Sequence, residues 1–161
     1  WGLSVASLAY GNDLPEFRLK AAFIYNFIVY TEFPAGTPST LNLCIHGADP
    51  FGKEIDGLQN KVAAGRTIAV LRKAAGDSLK DCQVVFIAAS ASESLPRVLD
   101  SLSGLPVLTV ADSPGAMRRG VALNMIVAQG KVTFEANLQA ARKAKLNLSS
   151  KLLRLATEVQ Q

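Results

Sequence analysis

Residues 131–156 carry the sequence KVTFEANLQAARKAKLNLSSKLLRLA, which predicts a strand followed by two short helices. The first seven residues alternate polar and apolar side chains, which is the period of a half-buried strand. Asn137 then has the side chain of a helix N-cap, and Ser149 or Asn147 can begin a second helix after a kink. The order of these signals predicts a strand that leads directly into helices at the end of the chain.

The same tail accounts for the net charge of +4, because residues 131–161 hold six Lys or Arg and two acids, whereas residues 1–130 hold eleven of each. Its cations form either a solvated helix face or an interaction surface. A dense basic stripe with interleaved aromatic residues is missing, which disfavours nucleic acid as a partner. The apolar residues recur at helical spacing, and we expect them to pack against the sheet and the first helix. They are Leu148, Leu152, Leu155, Ala156 and Val159.

The length of 161 residues, with 49% hydrophobic and 19% charged residues, predicts one folded domain, which we place at residues 13–161. Residues 1–12 precede it and begin WGLSVASLAYG. This stretch resembles the end of a signal peptide, since Ser7-Leu8-Ala9 fits a small-x-small cleavage pattern. The alternative is an ordered N-terminal arm.

Residues 14–33 predict a long helix that is apolar over more than half of its circumference and ends at Pro34. Charged and polar residues interrupt its apolar run, which is too short to span a membrane. This chain therefore has no predicted transmembrane segment.

Strands and helices alternate after this helix. Strands are predicted at residues 41–46, 66–71, 82–89 and 107–110, and a capping box of Ser90 and Glu93 predicts a helix at residues 91–102. Gln129-Gly130 lies between two further strands and predicts a hairpin. The fold class is therefore a single-domain α/β sandwich, with a mixed, mostly parallel sheet, a C-terminal hairpin and helices packed on both faces.

The residues with potential chemistry form no recognisable catalytic set. Cys44, His46 and Cys82 could supply three metal ligands, but a fourth ligand at zinc spacing is missing, and a satisfied strand histidine explains His46 better. A nucleophile paired with a base is also missing, which disfavours an enzyme. The two cysteines form either a disulfide or a pair of buried free thiols.

Asp49 and Asp112 each follow a predicted buried strand, where open α/β sheets bind ligands. Together with Phe51 they are candidates for a small-molecule pocket. The alternative is that both aspartates are ordinary turn residues.

Three blocks of the sequence match a known pattern. They are LKAAFIYNFIVYTEFP (19–34), LNLCIHGADPFG (41–52) with CQVVFIA (82–88), and VTFEANLQAARKAKLNLSSKLLRLA (132–156). These blocks resemble the YfiR-like family of periplasmic proteins, and the third block is the most specific. The resemblance covers nearly the whole chain from residue 19 to residue 156.

The resemblance implies an exported, periplasmic α/β domain that has neither cofactor nor catalytic activity. The best-understood members restrain a membrane-bound diguanylate cyclase by binding its periplasmic region. This contact lowers cytoplasmic cyclic-di-GMP and so limits biofilm formation. Members also tend to self-associate, so a homodimer or a higher oligomer is expected here.

The same resemblance implies roles for individual residues. Cys44 and Cys82 match a cysteine pair that can form a disulfide in the family, and we predict that they are bonded in this protein; a second, C-terminal pair found in some members is missing. The C-terminal motif supplies candidates for partner binding or for holding the strand against the helix. The partner-binding candidates are Glu135, Asn137, Arg142, Lys151 and Arg154.

The leading hypothesis is therefore a periplasmic regulatory protein that restrains a membrane-bound diguanylate cyclase by reversible contact. The alternative is a periplasmic small-molecule sensor, or an adaptor for another membrane signalling protein such as a sensor kinase. An enzyme is the least favoured class.

Overall fold

The computed structural model describes residues 13–161, so the expected signal-peptide remnant or arm at residues 1–12 lies outside it. The helices are α1 (Asp13–Val29), α2 (Lys53–Asp56), α3 (Leu95–Ser101), α4 (Leu138–Lys143) and α5 (Ser150–Leu155), and a 3₁₀ helix spans Ala89–Ser94. The strands are β1 (Thr31–Glu32), β2 (Thr40–His46), β3 (Val62–Ala63), β4 (Arg66–Lys73), β5 (Val84–Ile87), β6 (Leu108–Ala111), β7 (Leu123–Ala128), β8 (Lys131–Asn137), β9 (Asn147–Leu148) and β10 (Glu158–Gln160).

Eight of these strands form one mixed sheet in the order β10-β8-β7-β6-β5-β2-β4-β3. Strands β7, β6, β5, β2 and β4 are parallel to their neighbours within this run, whereas β8 pairs antiparallel with β7 and β3 pairs antiparallel with β4. Strand β5 is buried along its whole length, as expected for a parallel strand that is covered on both faces. The predicted mixed, mostly parallel sheet is confirmed.

The predicted hairpin joins β7 to β8. Gln129 and Gly130 both have positive φ, 53° and 75°, which the two-residue turn of a tight hairpin requires. The register pairs Ala128 with Lys131 and continues to Leu123 with Ala136.

Helices cover both faces of the sheet, as predicted, and each face has its own apolar cluster. One cluster joins α1, α2 and the C-terminal helices to the sheet, around Phe27, Phe86 and Phe134. The other joins the 3₁₀ helix and α3 to the opposite face, around Val85 and Leu95.

The first helix ends at Val29, four residues before the predicted end at residue 33. Thr31 donates its hydroxyl proton to the Phe27 carbonyl at 2.6 Å, and Thr31–Glu32 pairs with β9 instead of continuing the helix. A distant strand therefore ends this helix before Pro34 does. In the part of the chain that the structure describes, no helix is long and apolar enough to cross a membrane.

The C-terminal stretch confirms the strand and both predicted caps. Asn137 accepts a hydrogen bond from the Ala140 N–H at 2.9 Å and begins α4, and Ser149 accepts one from the Lys151 N–H at 3.1 Å and begins α5. Thr157 N then donates to the Phe134 carbonyl at 2.8 Å.

The predicted helical stripe is therefore wrong beyond Leu155. Residues Glu158–Gln160 form β10 beside β8, so Val159 lies in a strand. Without β10, the outer edge of β8 would have backbone N–H and C=O groups without hydrogen-bond partners, and β10 supplies these partners.

The predicted capping box at Ser90 and Glu93 is also wrong. The segment begins as a 3₁₀ helix whose start receives no side-chain cap, and α3 follows only at Leu95. The Ser90 hydroxyl instead accepts a hydrogen bond from the Ala48 N–H at 2.8 Å.

Candidate functional site

Open α/β sheets usually bind ligands at the carboxyl ends of their parallel strands. After β2 the chain passes to β4 on one side, and β5 lies on the other side of β2. The intervening helix α2 packs on one face of the sheet, and α3 packs on the opposite face. This reversal makes the gap between β2 and β5 a topological switch point, where open α/β sheets bind ligands.

Two loops close on each other at this switch point. Gly47 follows β2 with φ 101°, and a Cβ atom there would lie 2.9 Å from the Ser90 hydroxyl oxygen. The hydrogen bond from Ala48 N to Ser90 Oγ joins the same two loops. Glycine is therefore required at position 47, both for its backbone conformation and for the close approach.

The candidate pocket residues after β2 serve the structure itself. The Phe51 ring is buried and packs edge-to-face against Phe86 at 4.8 Å and against Phe17 at 5.5 Å. Asp49 accepts a hydrogen bond from the Phe51 N–H at 2.8 Å, as the turn interpretation expects. Both side chains are therefore engaged by contacts within the protein.

Arg72 holds the same loop from the neighbouring strand. Its guanidinium lies 3.1 Å from Asp49 Oδ2 and 2.6 Å from Asp56 Oδ1. The hydrogen bond to Asp56, followed by the contact with Asp49, raises the pKa of the Arg72 guanidinium. The ion pairs anchor the loop after β2 to β4.

Asp112, which follows β6, belongs to a buried ion pair that the sequence reasoning missed. Lys20 Nζ lies 2.8 Å from Asp112 Oδ2 and 2.8 Å from Glu16 Oε2, and the Lys20 side chain is only 5% exposed. Burial alone would lower the pKa of the Lys20 ammonium, but its hydrogen bonds to Asp112 and Glu16 outweigh burial and raise it. The Phe17 ring adds a cation–π contact at 4.6 Å.

A second polar network begins at Ser113, the residue after Asp112, and leads into the sheet. Asn124 is fully buried; its Nδ2 donates to the Ser113 carbonyl at 2.8 Å and to Glu135 Oε1 at 3.4 Å. Asp112 Oδ1 and Ser113 Oγ are buried and have no hydrogen-bond partner among residues 13–161. Glu135, one of the partner-binding candidates, is half-buried at the end of this network.

The two cysteines form the predicted disulfide. Cys44 on β2 is bonded to Cys82 before β5, with the two Cα atoms 6.0 Å apart and a sequence separation of 38. Both residues are buried, so the bond fastens the two strands that flank the switch point. The alternative of two free thiols is excluded in this structure.

The expectation of a satisfied histidine is wrong. His46 is 3% exposed, and its Nδ1 is buried without a hydrogen-bond partner among the described residues. Burial lowers the pKa of the imidazole, and the Asp77 carboxylate opposes this only in part. The described part of the chain has no cluster of three or more metal-ligating side chains.

The C-terminal candidates fall into two groups. Asn137 is buried, and besides capping α4 it donates its Nδ2 proton to the Met117 carbonyl at 2.9 Å. Arg142, Lys151 and Arg154 are exposed, and none of them makes an ion pair with an acid in residues 13–161. These three cations remain free to meet an acidic partner.

An apolar groove of about 380 Å³ lies between α1, β8 and α5. Leu155 at its rim is 70% exposed, and α5 also carries the exposed cations Lys151 and Arg154, which do not line the groove. The sequence reasoning expected Leu155 to pack inward, but α5 ends there and leaves the side chain open. The residues that line the apolar groove include Phe23, Phe27, Tyr30, Phe134, Leu152 and Leu155.

Comparison with known proteins identifies the family. A family model described as YfiR/HmsC-like matches residues 17–157. The chain belongs to this family. The family match supports a periplasmic regulator of cyclic-di-GMP signalling in general. The buried disulfide also fits an oxidising compartment such as the periplasm.

Two solved structures have a similar fold. A conserved domain protein from Vibrio cholerae O1 biovar El Tor has a TM-score of 0.60 at 10% identity, and the match covers 89% of this chain and 60% of that one. The ABC domain from Streptococcus pneumoniae, solved in complex with L-Trp, has a TM-score of 0.54 at 9% identity, and the match covers 74% of this chain and 54% of that one. This chain thus spans little more than half the length of these relatives, and the similarity concerns the fold alone.

Proposed function

We propose that this protein restrains a membrane-bound diguanylate cyclase by binding the cyclase's periplasmic region through the apolar groove. The observation that carries the proposal is the family match together with an open apolar groove. A regulator of this kind needs an exposed surface rather than a catalytic group.

The side chains that line the groove indicate the chemistry of the partner segment that binds there. Its walls are aromatic and aliphatic side chains, so the matching segment is apolar at its centre. Lys151 and Arg154 lie on the same helix as Leu152 and Leu155 but outside the groove, so a partner surface that extends beyond the groove would pair acidic residues with these cations. Such charge pairs at a rim mainly speed association and fix orientation, while apolar burial supplies affinity.

Restraint follows if the protein binds the inactive form of the cyclase more tightly than the active form. A ligand shifts a conformational equilibrium only by the difference between its affinities for the two states. Full burial of a leucine side chain contributes about 1.5–3 kcal/mol. Loss of the Leu155 contact would therefore weaken binding roughly 10- to 150-fold.

The direct experiment is co-purification and calorimetry with the periplasmic region of a diguanylate cyclase encoded beside this gene. We expect a complex with the native protein and at least tenfold weaker binding by Leu155→Asp. Val62→Asp is the matched control, since Val62 is 63% exposed but lies on β3 at the opposite end of the sheet.

Each other outcome counts against the proposal. Absence of a complex, or equal loss of binding in the two variants, would contradict it. Binding to the periplasmic region of a sensor kinase instead would support the adaptor alternative. Analytical ultracentrifugation of the free protein tests whether a second copy covers the groove, in which case Leu155→Asp would convert an oligomer to a monomer.

A further inference from the structure

A second cavity, of about 190 Å³, lies at the carboxyl end of β2 on the face covered by α3. It opens between α3 and the loop that follows β4. A molecule of liquid water occupies about 30 Å³, so the space suits a phosphate or a small organic acid rather than a drug-sized ligand. The polar residues that line it are His46, Asp77, Ser78, Lys80, Arg97 and Ser101.

His46 is the residue that the fold does not explain. It is the last residue of β2, it is 3% exposed, and its Nδ1 has no hydrogen-bond partner in the described chain. The disulfide holds Cys44 two residues earlier on the same side of the strand, so the strand that carries the imidazole is anchored next to the cavity. Buried polar atoms are nearly always paired, and a ligand in this cavity would supply the missing partner.

The charges around the cavity favour an anion. Arg97 and Lys80 form no ion pair with an acid among residues 13–161, whereas Lys73, beside His46 in the sheet, is paired with Asp81. Asp77 is the one acid that lines the cavity, and its carboxylate accepts a hydrogen bond from the Ala74 N–H at 2.8 Å. With a neutral imidazole, the lining residues therefore have an excess of one positive charge.

We propose that this cavity binds a small anion of the carboxylate or phosphate type, held by the Arg97 and Lys80 cations and by a hydrogen bond from His46. Its position next to the switch point between β2 and β5 agrees with the usual place of ligands in open α/β sheets. The site lies on the face of the sheet opposite α1, away from the apolar groove, and its existence does not depend on the proposed function.

The test uses the fact that the chain contains a single histidine. The NMR signal of the His46 imidazole is followed in the intact protein during titration with sodium phosphate and, separately, with sodium succinate, at constant ionic strength. We expect a saturable change of the His46 signal with at least one anion. The pKa of His46 should rise in the complex, because a neighbouring negative charge favours the imidazolium.

The double variant Lys80→Gln/Arg97→Gln should lower the affinity for the anion about tenfold for each cation removed. Both residues are exposed, so the fold should persist, which circular dichroism checks. Lys131→Gln, at an exposed position outside the cavity, is the matched control and should bind like the native protein. A response to only one anion supports the site and assigns its ligand class. A response that does not saturate, or one that is unchanged in the double variant, would overturn the proposal.

Discussion

The buried Lys20 ion pair predicts a large and specific loss of stability when the lysine is replaced. Lys20→Met keeps the hydrocarbon bulk but leaves the Asp112 carboxylate, whose side chain is 8% exposed, without its cation. Breaking a buried pair from one side costs about 3–5 kcal/mol. For a chain of this size, that loss lowers the unfolding temperature by about 6–20 °C.

Urea unfolding followed by far-UV circular dichroism measures this free energy. Arg18→Met is the matched control on the same helix, because Arg18 is 77% exposed and pairs with Glu54 at the surface. Such surface pairs contribute about 0–1 kcal/mol.

A double replacement tests the physical reason for the loss. Lys20→Met/Asp112→Leu removes both buried charges, so it should recover most of the lost stability, while Glu16 is sufficiently exposed to remain hydrated. The reasoning is refuted if Lys20→Met and Arg18→Met cost the same, or if the double variant is less stable than Lys20→Met.

Three further predictions concern the same framework. Because the pKa of Lys20 in the folded protein is raised above 10.5, the lysine contributes fully to the free energy of unfolding below pH 10.5. This contribution is lost as the pH rises through the folded pKa. Urea unfolding at increasing alkaline pH should therefore show a steeper loss of stability for the native protein than for Lys20→Met. Replacing Cys44 and Cys82 by alanine removes a link across 38 residues and should cost about 3–4 kcal/mol, measured by urea unfolding without reductant. Asn137→Ala loses a cap and a buried hydrogen bond and should lower the free energy of unfolding by about 1–3 kcal/mol. Gln139→Ala, at an exposed position of α4, should change it by less than about 0.5 kcal/mol.

Features set by neighbouring residues were predictable from the sequence. The Asn137 and Ser149 caps and the Gln129-Gly130 turn each depend on contacts within a few residues. Features set by distant partners were not. The end of α1 depends on β9, and the strand at Val159 depends on the open edge of β8.

The candidate site shows the same division. Strand ends near Asp49 and Asp112 were placed correctly, but their binding partners come from β4 and α1, far away in the sequence. One signal for Lys20 was present, since it follows Glu16 by four residues and lies on the helix face of Phe17 and Ile24. A lysine on an apolar face indicates a buried acidic partner, although the identity of that partner requires the fold.

The central claim is that the apolar groove transmits regulation to cyclic-di-GMP, and cellular cyclic-di-GMP tests it most directly. A strain without this gene is complemented with the native protein, Leu155→Asp or Val62→Asp at equal periplasmic levels. We predict that deletion raises cyclic-di-GMP, that the native protein and Val62→Asp restore the low level, and that Leu155→Asp does not. Unchanged cyclic-di-GMP on deletion, or full restoration by Leu155→Asp, would contradict the account.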